Sequence, residues 1–312
     1  MLDAVLVVAG LAALIGGAWI LVHEAERLAV RLGLSPMLIG LTVVALGTSA
    51  PEMIVGASAS ARGAGELAVG GVLGSNVANV ALVLGLGIVI RPLAVSSRLL
   101  RWELPALGIA TVLVLLFGAS GAIGRIEGAA LLALLVVFLA VSARSAPESM
   151  QSRAAEVEVI DPAASMLRGV VQLLIGIAAL AAGSELLVRG AEGLAERLEI
   201  SQVVVGALII AVGTSLPELA TTAVAALRRH HAIAVGNVIG SNIFNLLGAL
   251  GLASLVAPLP IDGRLYELEL PAMALSTVLL VPLAWRERNG RVSGAVLLVL
   301  YALFVVTLPG HR

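Results

Sequence analysis

The chain has 312 residues, of which 60% are hydrophobic and 12% charged, with a formal net charge of −1 and no cysteine. Ordinary soluble domains carry roughly 25% charged residues, so this composition excludes one, and the lack of cysteine excludes disulfides and thiolate metal sites. The charge gives no reason to expect a nucleic-acid partner and nothing points to an obligate protein partner; the partner the composition requires is a lipid bilayer.

Apolar stretches of about 20 residues, each long enough to span a bilayer, recur along the whole chain. In order they are predicted near residues 4–22, 36–61, 67–90, 102–119, 126–142, 168–188, 202–227, 232–257, 270–284 and 292–309. The first has no basic leader and no evident cleavage site, and reads as a retained helix, not a signal peptide. Residues 143–165 alone have the composition of a soluble linker, with Arg144, Glu148, Arg153, Glu156, Glu158 and Asp161. This linker separates a first five-helix repeat at 1–142 from a second at 166–312.

The two halves say the same thing. Gly47-Thr48-Ser49-Ala50-Pro51-Glu52 returns 166 residues later as Gly213-Thr214-Ser215-Leu216-Pro217-Glu218, and Gly74-Ser75-Asn76-Val77-Ala78-Asn79 returns as Gly240-Ser241-Asn242-Ile243-Phe244-Asn245. Between Gly40 and Gly85, 20 of 46 positions are identical to their counterparts. Five is odd, so the second copy must enter the membrane from the opposite face, giving the inverted repeats of a secondary transporter. The expected fold is therefore an all-α membrane protein: ten transmembrane helices as two inverted five-helix repeats, with discontinuous helices at a central site. All 19 basic residues are Arg, thirteen on the side that bears the linker and six on the other. The positive-inside rule then places the linker in the cytoplasm and both termini outside.

Glu52 and Glu218 each lie well inside an apolar span. An ionised group at mid-membrane costs about 2.5–3.5 kcal/mol on insertion scales, so such residues are rarely idle. Two carboxylates at ~6 Å and an effective dielectric of ~20 repel by about 3 kcal/mol, which a cation or a proton relieves. Pro51 and Pro217 remove backbone donors and are expected to break their helices, freeing carbonyls around Ala45, Thr48, Ala211 and Thr214. Ser75 and Asn79, like Ser241 and Asn245, are four residues apart and share a helical face; these four are expected to ligate. Asn76 and Asn242 suit either ligation or helix packing. The donor set is all oxygen, which fits hard cations such as Ca²⁺ and Na⁺ rather than Zn²⁺ or Cu²⁺. His23, His230, His231 and His311 fall in loops or at a terminus and are expected to be solvated interfacial residues. No cofactor is expected beyond the transported ions themselves.

These paired motifs resemble the two alpha-repeats of the calcium/cation antiporter superfamily, and the nearest look is to prokaryotic sodium/calcium exchangers. The resemblance implies a core of helices 2, 3, 7 and 8 around one site in a prokaryotic inner (cell) membrane. There Glu52 and Glu218 would hold Ca²⁺ with the backbone carbonyls of Thr48 and Thr214. Ser49, Ser215, Ser75 and Ser241 would line flanking Na⁺ positions with the carbonyls of Ala45 and Ala211, and Asn79 and Asn245 would complete the middle. Some relatives carry an acid where this chain has Asn245, which leaves an expected two-fold symmetric pocket with two formal charges. The resemblance also implies that helices 1 and 6, rich in small residues, slide across the core as a gate. The function expected is an antiporter moving Ca²⁺ against Na⁺ by alternating access. A Ca²⁺/H⁺ antiporter is the alternative, K⁺ is a further candidate counter-ion, and an intramembrane acid-dyad hydrolase is the remote one.

Overall fold

In the computed structural model the described residues are 2–94, 99, 101–144, 162–197, 213–263, 265–286 and 288–307. They form ten helices: α1 (Leu2–Leu32), α2 (Pro36–Ala61), α3 (Gly65–Ile90), α4 (Glu103–Gly118), α5 (Arg125–Arg144), α6 (Pro162–Arg197), α7 (Leu216–Leu227), α8 (His231–Val256), α9 (Leu265–Trp285) and α10 (Arg291–Thr307). Seven are long and apolar enough to cross a membrane; α4, α7 and α10 are apolar but shorter. Residues 198–212, the first half of the expected seventh span, and 145–161, most of the expected linker, lie outside the described residues.

α1 and α6 run well beyond the spans expected for them, to 31 and 36 residues. They pack antiparallel through facing glycines. A Cβ on Gly10 would lie 2.6 Å from the Leu187 backbone nitrogen, one on Gly17 2.9 Å from the Gly176 carbonyl, and one on Gly190 2.7 Å from the Asp3 carbonyl. Real Cβ atoms do not approach so closely, so only glycine permits this helix spacing. The Arg197–Asp3 ion pair, at 2.6 Å, closes one end of the contact.

The same device sets the central packing. Gly236 and Gly240 of α8 lie against Met37, Gly40, Leu41 and Ala45 of α2, Gly85 of α3 against Gly294 of α10, and Gly128 of α5 against Gly251 of α8. One apolar core runs from Leu14 to Leu297 through these contacts, and α8 is the most enclosed of the seven long helices.

Two short strand pairings tie the loops together. β1 (Leu93–Ala94) pairs antiparallel with β4 (Arg288–Asn289), and β2 (Ala122–Ile123) with β3 (Leu259–Pro260). Leu93↔Asn289 and Ile123↔Leu259 are the same pairing transposed by 166 residues.

The expected breaks at the two prolines differ between the copies. α2 stays helical through Pro51; its irregularity is a π-helical turn at Gly40–Val44, just before the motif. In the second copy Thr214 and Ser215 form a turn, and α7 begins at Leu216 with Pro217 in its first turn, where a missing N–H costs nothing. Further π-helical turns lie at Asn79–Leu84, Phe244–Ala249 and Leu265–Glu269. Such turns are rare and concentrate at functional sites.

Candidate functional site

α2 contributes Ala45, Thr48, Ser49 and Glu52; α3 contributes Ser75 and Asn79; the turn into α7 contributes Thr214 and Ser215, and its first turn Glu218; α8 contributes Ser241 and Asn245. All are buried except Thr214, which is half-buried. Ala211 lies outside the described residues.

Direct contacts join the two halves. Ser49 Oγ donates to Glu218 Oε1 at 3.1 Å, Thr48 Oγ1 meets Ser241 Oγ at 3.3 Å, and Ser75 Oγ meets Thr214 Oγ1 at 3.2 Å. The last two are one contact transposed by 166 residues. Glu52 and Glu218 lie close enough to interact electrostatically. Among the described residues, both oxygens of Glu52, Oε2 of Glu218, the amide groups of Asn79 and Asn245 and the hydroxyl of Ser215 have no protein partner although fully buried. A buried polar atom left unpaired costs roughly 1–3 kcal/mol, more when charged. This cluster of oxygens therefore needs a cation or protons.

No cluster of three or more His, Asp or Glu suited to a metal occurs among the described residues, so the donors are two carboxylates and neutral oxygens. That set fits a hard cation, for which Ca²⁺ takes six to eight oxygens in a flexible shell. Of the histidines, His23 stacks on Trp19 with ring centroids 5.1 Å apart, and His230 Nε2 lies 3.2 Å from Glu26 Oε2.

Asn76 and Asn242 resolve toward packing on their amide donors: each Nδ2 donates to the other's backbone carbonyl, both at 3.3 Å. The repeat-related Thr111 and Thr277 also meet, hydroxyl to hydroxyl, at 3.2 Å.

The expected two-fold symmetric pocket is not what forms. Asn237 of α8 is fully buried beside Glu218. Thr48 Oγ1 donates to its Oδ1 at 3.1 Å, and its Nδ2 donates to the Glu218 carbonyl at 3.4 Å and to Thr222 Oγ1 at 3.1 Å. The counterparts of Asn237 and Thr222 are Gly71 and Gly56, which have no side chain to make these bonds. A second asymmetry concerns the carbonyls that the prolines leave without a helical donor, those of Gly47 and Gly213. Ser184 Oγ of α6 donates to the Gly213 carbonyl at 2.6 Å, whereas the counterpart of Ser184 is Ala18. Asn237, Thr222 and Ser184 escaped the sequence reading because each occurs in one copy only, and a search for repeated motifs passes over them.

Four similarities bear on this geometry. The sequence pattern of the family described as "Sodium/calcium exchanger protein" matches residues 2–144 and 168–308. The "Putative antiporter CaxA" of Alkalimonas amylolytica is 38% identical over 304 residues, 95% of each chain. The inner membrane protein YrbG of Escherichia coli K12 is 35% identical over 309 residues, 95% of this chain and 94% of its own. The solved sodium-calcium exchanger NCX_Mj superposes with a TM-score of 0.86 at 32% identity, over 98% of this chain and 99% of that one. With a fold of ten apolar helices around a buried oxygen-lined site, these make the protein an integral membrane cation antiporter of the Ca²⁺-handling kind and not an enzyme, which removes the hydrolase alternative: the chain belongs to the sodium/calcium exchanger family.

Proposed function

We propose that the chain exchanges Ca²⁺ for Na⁺ by alternating access, with Glu52 and Glu218 as the shared carboxylates. The observation that carries this is the set of buried oxygens without protein partners on Glu52, Glu218 and Ser215, beside the buried Asn79 and Asn245 amides. Ca²⁺ would sit between the carboxylates with the Thr48 and Thr214 carbonyls. Na⁺ would occupy flanks lined by Ser49, Ser215, Ser75 and Ser241 and by the carbonyls of Ala45 and Ala211.

The halves 1–142 and 166–312 act in this reading as inverted repeats joined by the 143–165 linker. Contacts between repeat-related residues support a two-fold axis passing near Asn76·Asn242 and Thr111·Thr277. The antiparallel α1·α6 pair supports an axis in the membrane plane. Each strand pairing joins loops of like parity, 3–4 with 9–10 and 4–5 with 8–9, as ten alternating crossings require. Arginine placement favours a cytoplasmic linker with both termini outside. α1 and α6 would form the moving gate around a fixed core of α2, α3, α7 and α8.

One observation favours a second reading, Ca²⁺/H⁺ exchange: with the neutral Asn245 in the middle, two protons suffice to neutralise the pocket. Purified protein in vesicles, with ⁴⁵Ca²⁺ uptake measured against separate Na⁺, K⁺ and H⁺ gradients, decides between them. Flux driven by Na⁺ alone is the expected result; flux driven only by H⁺ or only by K⁺ would overturn it.

A further inference from the structure

We propose that Asn237 is a positioning residue that keeps the Ala45 carbonyl available to a monovalent cation by taking up the Thr48 hydroxyl hydrogen. The inference rests on the exchange reading above and extends it to a residue outside the repeated motifs.

The chemistry is a matter of one hydrogen. Thr48 Oγ1 lies 3.1 Å from Asn237 Oδ1 and 3.3 Å from the Ala45 carbonyl, with Ser241 Oγ also at 3.3 Å. A threonine hydroxyl has a single hydrogen to donate, so it can serve Asn237 or Ala45 but not both. The orientation of the Asn237 amide is fixed by its other neighbours. The Glu218 backbone carbonyl, 3.4 Å away, can only accept, so the amide atom facing it must be Nδ2. Oδ1 therefore faces Thr48, where it can only accept, and at the shorter of the two distances it takes the hydrogen.

Release of Ala45 matters because of where it stands. A carbonyl oxygen has two lone pairs, and a helix interior engages one of them. Ala45 opens the regular part of α2 directly after a π-helical turn, fully buried, with its carbonyl 3.3 Å from the Thr48 hydroxyl. A hydroxyl hydrogen on its second lone pair would compete with a cation there; Asn237 removes that competitor. In the first half the corresponding residue is Gly71, so the device exists on one flank only.

The test is a double-mutant cycle in reconstituted vesicles, measuring half-saturating Na⁺ and half-saturating Ca²⁺ separately. Asn237→Ala should raise the Na⁺ requirement several-fold and move the Ca²⁺ requirement less than about twofold. In a Thr48→Val background, where no hydroxyl hydrogen remains to compete, the same substitution should have almost no further effect on Na⁺, the non-additivity expected of one contact. Should Asn237→Ala not fold, Asn237→Leu serves in its place: it keeps about the volume of the amide side chain and carries no acceptor for the Thr48 hydroxyl. An equal rise for both ions, or an Asn237 effect undiminished by Thr48→Val, would overturn the inference and leave Na⁺-driven exchange standing. A wild-type protein whose Ca²⁺ flux ignores Na⁺ would overturn both.

Discussion

The side-chain amides of Asn76 and Asn242, 166 residues apart, each donate to the other's backbone carbonyl at 3.3 Å. This reciprocal pair clamps α3 against α8 at the midpoint of the two Gly-Ser-Asn-x-x-Asn motifs. Asn76→Ala or Asn242→Ala should each destabilise the protein by about 1–3 kcal/mol, the cost of a buried polar group left unpaired. The double variant should be no worse than the sum of the two. Thermal unfolding in detergent checks the stability, and equilibrium ⁴⁵Ca²⁺ binding on the folded fraction should stay near wild type.

Glu52→Gln and Glu218→Gln should each abolish Ca²⁺ transport. Removing one charge from a buried ionic set costs about 3–5 kcal/mol, or roughly 10²- to 4 × 10³-fold in affinity. Vesicle uptake at saturating wild-type Ca²⁺ reads the loss directly, and near-normal flux in either variant would exclude these residues as the central ligands.

If Glu52 and Glu218 hold Ca²⁺ as proposed, protons compete for the same carboxylate oxygens, since metal ligands must be deprotonated. Acidification should therefore raise the half-saturating Ca²⁺ concentration progressively, with maximal Ca²⁺ uptake unchanged if enough Ca²⁺ is supplied. Isothermal binding measured between about pH 8 and pH 5.5 tests this against ordinary Glu titration near 4.3; a flat affinity over that window would argue against a paired-carboxylate site.

Asn245 is buried, and neither end of its amide has a protein partner. Asn245→Asp adds a third charge beside Glu52 and Glu218. Apparent Na⁺ affinity should tighten several-fold, or a new titration should enter the pH profile of Ca²⁺ uptake. If neither changes, Asn245 lies outside the ion path.

Ser184 ties α6 to the carbonyl of Gly213 across 2.6 Å, so any sliding of α6 must break that bond. Ser184→Ala removes a net hydrogen bond of roughly 1 kcal/mol from the conformation seen here. Exchange rate should shift about fivefold while Ca²⁺ affinity at equilibrium stays within twofold. Enlarging Gly17 or Gly183 to Leu should slow exchange far more, because backbone atoms of the partner helix lie within 3 Å of the new Cβ. Equal losses of binding and transport would mean that these helices hold the site together and do not gate it.

Most of the candidate site was legible because it is written twice. The paired hexapeptides located Glu52, Glu218 and their hydroxyl neighbours, and the recurring apolar stretches located ten helices, with the first half of the seventh span outside the described residues. α1 and α6 extend past their apolar windows because Arg31 and Arg197 sit at helix ends outside the most apolar stretch, where charge does not prevent helix formation. The proline rule misplaced the break in α2. Pro51 sits within a continuous helix, and the local irregularity is taken up by a π-helical turn that carries no signature residue. Asn237 was illegible for the opposite reason: its importance lies in three bonds to residues distant along the chain, in a position where the other copy has glycine.

That unequal pair has an energetic corollary. If two identical halves exchanged conformations, the carrier open to one side would be the carrier open to the other turned over, and the two would have equal free energy. Asn237, Thr222 and Ser184 stand where the other half has Gly71, Gly56 and Ala18; of their hydrogen bonds, the one from Ser184 to Gly213 runs between the proposed gate and the core, and there the equality would fail. At roughly 1 kcal/mol net for that bond, the bias toward the conformation seen here would be about 5-fold in population. A carrier that slides in this way would rest on one side, held there by a single hydroxyl that the first half lacks.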